Sequence, residues 1–81
     1  MLRFIDFYNI CCKYNADNNS YFNDGEIAQD SYDNFVEYQE SVKLGHANHS
    51  LIAMCENLTG DFYINLSIEQ AESILSKYLE D

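Results

Sequence analysis

The stretch from Glu26 to Val42 separates its acidic from its apolar residues only if it is wound as an α-helix. At about 100° per residue, five carboxylates fall within about 80° of one another. Their spacing of four, three, four and three residues makes one straight row, the acidic stripe: Glu26, Asp30, Asp33, Glu37 and Glu40. The apolar side, predicted to pack on a core, carries Ile27, Ala28, Ser31, Phe35, Tyr38 and Val42.

The acidic stripe lacks a neutralising cation in the sequence around it, because no Lys or Arg occurs between Lys13 and Lys43. Like charges four residues apart destabilise a helix by a few tenths of a kcal/mol per pair, so the stripe costs on the order of 1 kcal/mol. Two interpretations follow. The stripe is either a binding surface for a basic partner or a solvated face that an acidic protein tolerates.

Signals at both ends support this helix. Asp24 or Gly25 is the predicted N-cap, and Lys43 followed by Gly45 is typical of a helix C-terminus. The preceding stretch, residues 15–25, is rich in Asn and Asp and predicts a linker. Tyr21 and Phe22 are expected to pack this linker against the core.

Three further elements follow from hydrophobic periodicity. Leu2–Tyr14 predicts a first helix, with a strand as the alternative for its first few residues. Two short apolar runs, Leu51–Glu56 and Phe62–Leu66, flank a Gly-containing loop and predict a β-hairpin. Ser67 with Gln70 forms a capping box that starts a last helix. The sequence therefore predicts a single α+β domain over residues 1–81, mostly helical, in the order helix–helix–β-hairpin–helix.

The net charge restricts the partners. With 14 acidic and four basic residues among 81, the formal charge is −10. Phosphates would repel such a chain, so direct binding to nucleic acid or to an anionic membrane is not expected. Attraction to a basic protein is favoured instead.

The cysteines and histidines are the candidate metal ligands of the sequence. Cys11, Cys12 and Cys55 are odd in number and two are adjacent, which is not a disulfide framework. His46 and His49 would complete a set of zinc ligands, but the spacing differs from that of zinc fingers, which use two separated pairs. We expect no metal and no cofactor. With no signal peptide and no long apolar run, the predicted location is the cytoplasm.

The sequence lacks the pattern of a calcium-binding loop. If Gly25 is placed at position 6 of such a loop, Ser31 falls at position 12, where the loop needs Glu. Catalytic patterns are also weak. A Cys–His pair is the remaining nucleophilic arrangement, and neither Cys11 nor Cys55 has a basic neighbourhood that would activate a thiol. We therefore expect a protein that is not an enzyme, with no catalytic residue.

In size, acidity and lack of catalytic patterns, the chain is similar to small phage-encoded inhibitors: DNA mimics, anti-CRISPR and anti-restriction proteins. The similarity implies a small acidic inhibitor whose stripe occupies the basic groove of a nuclease or CRISPR effector inside a host bacterium. Tyr32, near the edge of the acidic helix, is the predicted apolar anchor. Two alternatives remain: an immunity protein against a nuclease toxin, and a structural or assembly subunit, including a homodimer.

Overall fold

The computed structural model describes residues 1–18 and 23–80, and within these ranges the chain forms four α-helices. They are α1 (Phe4–Asp17), α2 (Asp24–Leu44), α3 (His49–Thr59) and α4 (Ile68–Glu80). Each helix packs against two neighbours in the cyclic order α1, α2, α3, α4. A single core lies between them, made of Phe7, Ile10, Tyr38, Ala47, Leu51, Cys55, Leu66, Ala71 and Leu75.

The prediction of an α+β fold is wrong, because the described ranges contain no strand and the domain is all-α. The first half of the predicted hairpin lies inside α3. Leu51 and Cys55 are four residues apart and both fully buried, which is the spacing of one helix face. Asn48 caps this helix by accepting a hydrogen bond from the Leu51 backbone N–H at 2.9 Å, and Gly60 ends it in the left-handed conformation, with φ 76°.

The second half of the predicted hairpin belongs to the crossover segment, residues 60–67, which connects α3 to α4. These two helices run parallel. The Leu66 carbonyl accepts from the Ala47 N–H at 3.0 Å near the start of both, and Leu58 and Tyr78, near their ends, line one surface pocket. The chain must therefore return along α3, roughly 16 Å for its 11 residues. A tight turn cannot span that distance.

The helix predictions were confirmed with shifted boundaries. α1 runs to Asp17, three residues beyond the predicted end. The predicted N-cap of α2, Asp24 or Gly25, is wrong: the N-cap is Asn23, whose side chain accepts from the Glu26 N–H at 2.8 Å. Gly45 ends α2 with φ 86°, as expected, and the predicted capping box at Ser67 is present in the structure. The predicted packing of Tyr21 and Phe22 lies outside the described residues.

Candidate partner-binding site

The predicted core side of α2 does pack inward. Ile27, Ser31 and Tyr38 are buried, and Phe35 and Val42 are partly buried against the core. Phe35 contacts Phe7 of α1, with ring centroids 5.7 Å apart. The acidic stripe is thereby placed on the side of α2 that borders α3.

Glu26, Asp30 and Asp33 are the stripe residues of the N-terminal half of α2, and all three are exposed. Across residues 1–18 and 23–80, no Lys or Arg forms an ion pair with any of them. Asp33 accepts a hydrogen bond from Gln29 Nε2 at 3.1 Å, on the surface of the same helix. These three carboxylates remain available to a cation from outside.

Glu37 and Glu40 are engaged within the protein. Asn48 Nδ2 donates to the Glu37 carboxylate at 2.8 Å and to the Glu37 carbonyl at 3.3 Å. Since Asn48 also caps α3, Glu37 helps to fix the corner between α2 and α3. Glu40 lies 3.7 Å from the Lys43 ammonium in an exposed pair. The stripe is therefore continuous in sequence, but its two halves differ in the contacts that their carboxylates make.

A groove between α1, α2 and α3 adjoins the exposed carboxylates, with a volume of about 290 Å³. Asp30 and Asp33 line it together with side chains that are mainly apolar or amide: Ile10, Cys11, Tyr14, Asn15, Asn34, Met54, Asn57 and Leu58. Periodicity along the chain does not reveal this groove, because its walls come from three helices. Repeated i, i+4 pairs such as Met54 and Leu58 indicate only a helix face.

Tyr32 does not face the groove. It is 57% exposed and lies about 200° around α2 from Asn34, which lines the groove. Its predicted role as an anchor remains a prediction. An anchor at Tyr32 would require a partner that spans the outer surface of α2 as well as the stripe.

The thiols and histidines occupy separate places. Cys55 is fully buried in α3, where burial raises its pKa to about 11, with a smaller contribution from Glu56. Cys11 is buried, and its Sγ accepts a hydrogen bond from Asn34 Nδ2 at 3.7 Å. His46 and His49 are exposed. In the part of the chain that the structure describes, no three His, Cys, Asp or Glu side chains come together in a group able to hold a metal ion.

Comparison with known proteins identifies no similar protein. No family model matches the chain, and neither the curated proteins nor the solved structures include one that is significantly similar. Among the described residues, none of the helices combines the length and apolar character needed to cross a membrane.

Proposed function

We propose that this protein is a small acidic inhibitor that binds a basic nucleic-acid-binding enzyme through the N-terminal half of α2. The observation that carries the proposal is the exposure of Glu26, Asp30 and Asp33 without a cation of the protein's own beside them in the described ranges. Successive carboxylates rise by roughly 4.5–6 Å along the helix. A row of this kind resembles the regular negative charge of a nucleic-acid strand, with about 3.4 Å per phosphate.

The groove beside Asp30 and Asp33 adds apolar contact to the negative charge of this surface. A Lys or Arg side chain has an apolar stem and a charged head, and it binds best where both find a partner. At the groove, Met54 and Leu58 offer apolar contact and the carboxylates of Asp30 and Asp33 receive the head. Such a site suits a basic side chain inserted from a partner surface.

The class of partner is a nuclease or CRISPR effector in a bacterial cytoplasm, with the protein acting as a phage-encoded anti-CRISPR or DNA mimic. An immunity protein against a nuclease toxin would use the same carboxylates, so the identity of the bound enzyme separates the two. An assembly role is the other candidate. It is favoured by a different observation, the exposure of Phe62 and Ile64 in the crossover segment.

Affinity capture from a bacterial lysate, eluted by a salt gradient, tests the proposal. We expect a basic nuclease or effector to be retained at low salt and to be displaced by added DNA or guide RNA, since both compete for one groove. The variant Asp30→Lys with Asp33→Lys should lose this retention. Glu37 is left unchanged because it supports the α2–α3 corner.

The matched control is Glu69→Lys with Glu80→Lys, which changes the net charge equally but on exposed positions of α4. Retention by this control and loss in the α2 variant would support a defined site. Equal loss in both variants would show a non-specific effect of net charge. Retention by the α2 variant at physiological salt would overturn the proposal.

A further inference from the structure

The crossover segment presents two apolar side chains to solvent. Phe62 is 84% exposed and Ile64 is 87% exposed, and of the large hydrophobic residues described only Met1 is more exposed. The two lie two residues apart on one segment, and exposed apolar side chains that cluster mark interaction sites more than single ones do.

The backbone around these two side chains is anchored. The Tyr63 N–H donates to the Glu56 carboxylate at 3.0 Å, and the Tyr63 hydroxyl donates to Thr59 Oγ1 at 3.2 Å. At the other end, Leu66 is buried and its carbonyl accepts from the Ala47 N–H. Phe62 and Ile64 therefore project from a segment that is fixed on both sides.

An uncharged groove lies between the crossover segment and α4, and the two chain neighbours of Ile64 line it. It is shallow, with a volume of about 440 Å³, and is lined by Tyr63, Asn65, Leu66, Gln70, Ser73 and Ile74. None of these side chains is ionisable at neutral pH. In a chain with a formal charge of −10, the side chains that line this groove are neutral and partly apolar, and the exposed Asp61 and Glu69 adjoin them in the sequence.

We propose that a second copy of this chain covers this surface, with Phe62 and Ile64 of each copy seated in the uncharged groove of the other. Two copies repel wherever their carboxylates face each other, so the neutral surface is where they can approach. A two-fold interface needs one patch that carries both the projecting side chains and their receptor. This patch has both.

The proposal adds to the proposed inhibitor function and does not depend on it. α2 and α4 lie diagonally across the four-helix array, since each packs mainly against α1 and α3. A dimer through the crossover segment thus leaves the exposed carboxylates of α2 accessible. A stable interface buries roughly 1,200 Å² or more in total, so the groove residues must be covered together with Phe62 and Ile64.

Sedimentation equilibrium of the full chain over a wide concentration range, at low and high salt, is the test. We expect a dimer that added salt does not dissociate, because salt screens the repulsion between copies and leaves apolar contact intact. Phe62→Ser with Ile64→Ser should raise the dimer Kd about 30-fold or more, as for central interface residues. Both side chains are exposed in the monomer, so the variant should keep its helical circular dichroism. Its unfolding midpoint should equal that of the wild type at concentrations where the wild type is monomeric, and fall below it where the wild type is dimeric.

Two further variants sharpen the result. Ser73→Glu places a carboxylate in the groove without touching the projecting side chains, and we expect it to weaken the dimer at least about tenfold. Tyr32→Ser removes an exposed aromatic residue of α2 and should leave the dimer unchanged.

A monomer at every concentration would overturn the proposal, as would a dimer that survives Phe62→Ser with Ile64→Ser. The proposed inhibitor function is separable from it. Capture of a basic enzyme should persist in the Phe62 and Ile64 variant, and dimerisation should persist in the Asp30 and Asp33 variant.

Discussion

The two halves of α2 carry the same acidic spacing, but their carboxylates make different contacts. In the N-terminal half, Glu26, Asp30 and Asp33 face solvent beside a groove. In the C-terminal half, Glu37 accepts a hydrogen bond from Asn48 and Glu40 lies beside Lys43. The difference shows that a regular row of charge in the sequence is not one uniform surface, because neighbouring residues in the fold decide which carboxylates lack a partner.

The C-terminal half of α2 also forms hydrogen bonds to other parts of the fold. Tyr38 is buried, and its hydroxyl donates to the Glu72 carboxylate on α4 and accepts from the Leu2 N–H at 3.2 Å. Ser41 Oγ accepts from the Asn48 N–H at 3.0 Å. We therefore expect changes in this half to alter stability, and changes in the N-terminal half to alter binding.

The largest contrast should come from two tyrosines of α2. Tyr38→Ala removes a fully buried ring that packs on Phe7 at 5.4 Å, and we expect it to lower the free energy of unfolding by about 4 kcal/mol. Tyr32→Ala removes a ring that is 57% exposed and should change it by less than about 0.5 kcal/mol. Urea denaturation measures both. Similar losses in the two variants would remove the distinction between the halves.

Alkaline pH should act on the C-terminal half. Burial, followed by the hydrogen bond to Glu72, raises the pKa of Tyr38 to about 12. Because the folded state holds this proton more tightly than the unfolded chain does, its contribution is fully present below pH of about 10 and is lost as pH rises towards 12. Between these limits we expect a loss on the order of 2 kcal/mol from Tyr38.

Tyr38→Phe is the control for this pH effect. The variant should lose less stability than the wild type between pH of about 9 and 12, although Tyr78 and Cys55, whose pKa values are also raised, still contribute. Identical pH profiles for the two proteins would show that the Tyr38 proton is not held by the fold.

Two asparagine caps test the corner between α2 and α3. Asn23→Ala removes only the cap of α2 and should cost about 1 kcal/mol. Asn48→Ala removes the cap of α3 together with the hydrogen bond to Glu37 and should cost about 2 kcal/mol. The difference between their thermal midpoints, about 4–8 °C in a domain of this size, isolates the role of Glu37. Equal midpoints would mean that Glu37 contributes nothing at this corner.

The smallest expected effect differs in sign between the halves. Asp33→Asn relieves repulsion from Asp30 and Glu37 and should stabilise the protein by a few tenths of a kcal/mol at low salt. Glu37→Gln weakens the hydrogen bond from Asn48 by removing its charge and should destabilise by a similar amount or slightly more. Denaturation midpoints at low and high salt measure this, and the Asp33 gain should vanish at high salt. A gain in both variants would contradict the division of the stripe.

The prediction succeeded where a segment carries its own start and stop signals and failed where it depends on its neighbours. α2 was predicted from its period and Gly45, and α4 from the Ser67 capping box. α3 could have been found from Asn48 and Gly60 at its two ends. The alternation of Phe62, Ile64 and Leu66 was interpreted as a strand, whereas only Leu66 is buried and the segment is a crossover between parallel helices.

The candidate site was predicted in part. All five carboxylates lie on one helix, as the spacing required, but the spacing did not reveal that Glu37 is bound by Asn48 or that a groove adjoins Asp30 and Asp33. Those facts depend on contacts between residues distant in sequence. The periodicity of a segment describes one helix at a time and carries no information about which helices pack against it.

By itself, the sequence determined the acidic charge, the helices that have caps and amphipathic spacing, and the alignment of the stripe. These depend on interactions within a few residues, whose geometry the helix repeat fixes. Only the tertiary structure decided that α3 and α4 run parallel, that the crossover segment exposes Phe62 and Ile64, and that the stripe is divided. These outcomes depend on how four apolar faces share one core, and that arrangement is a property of the whole chain.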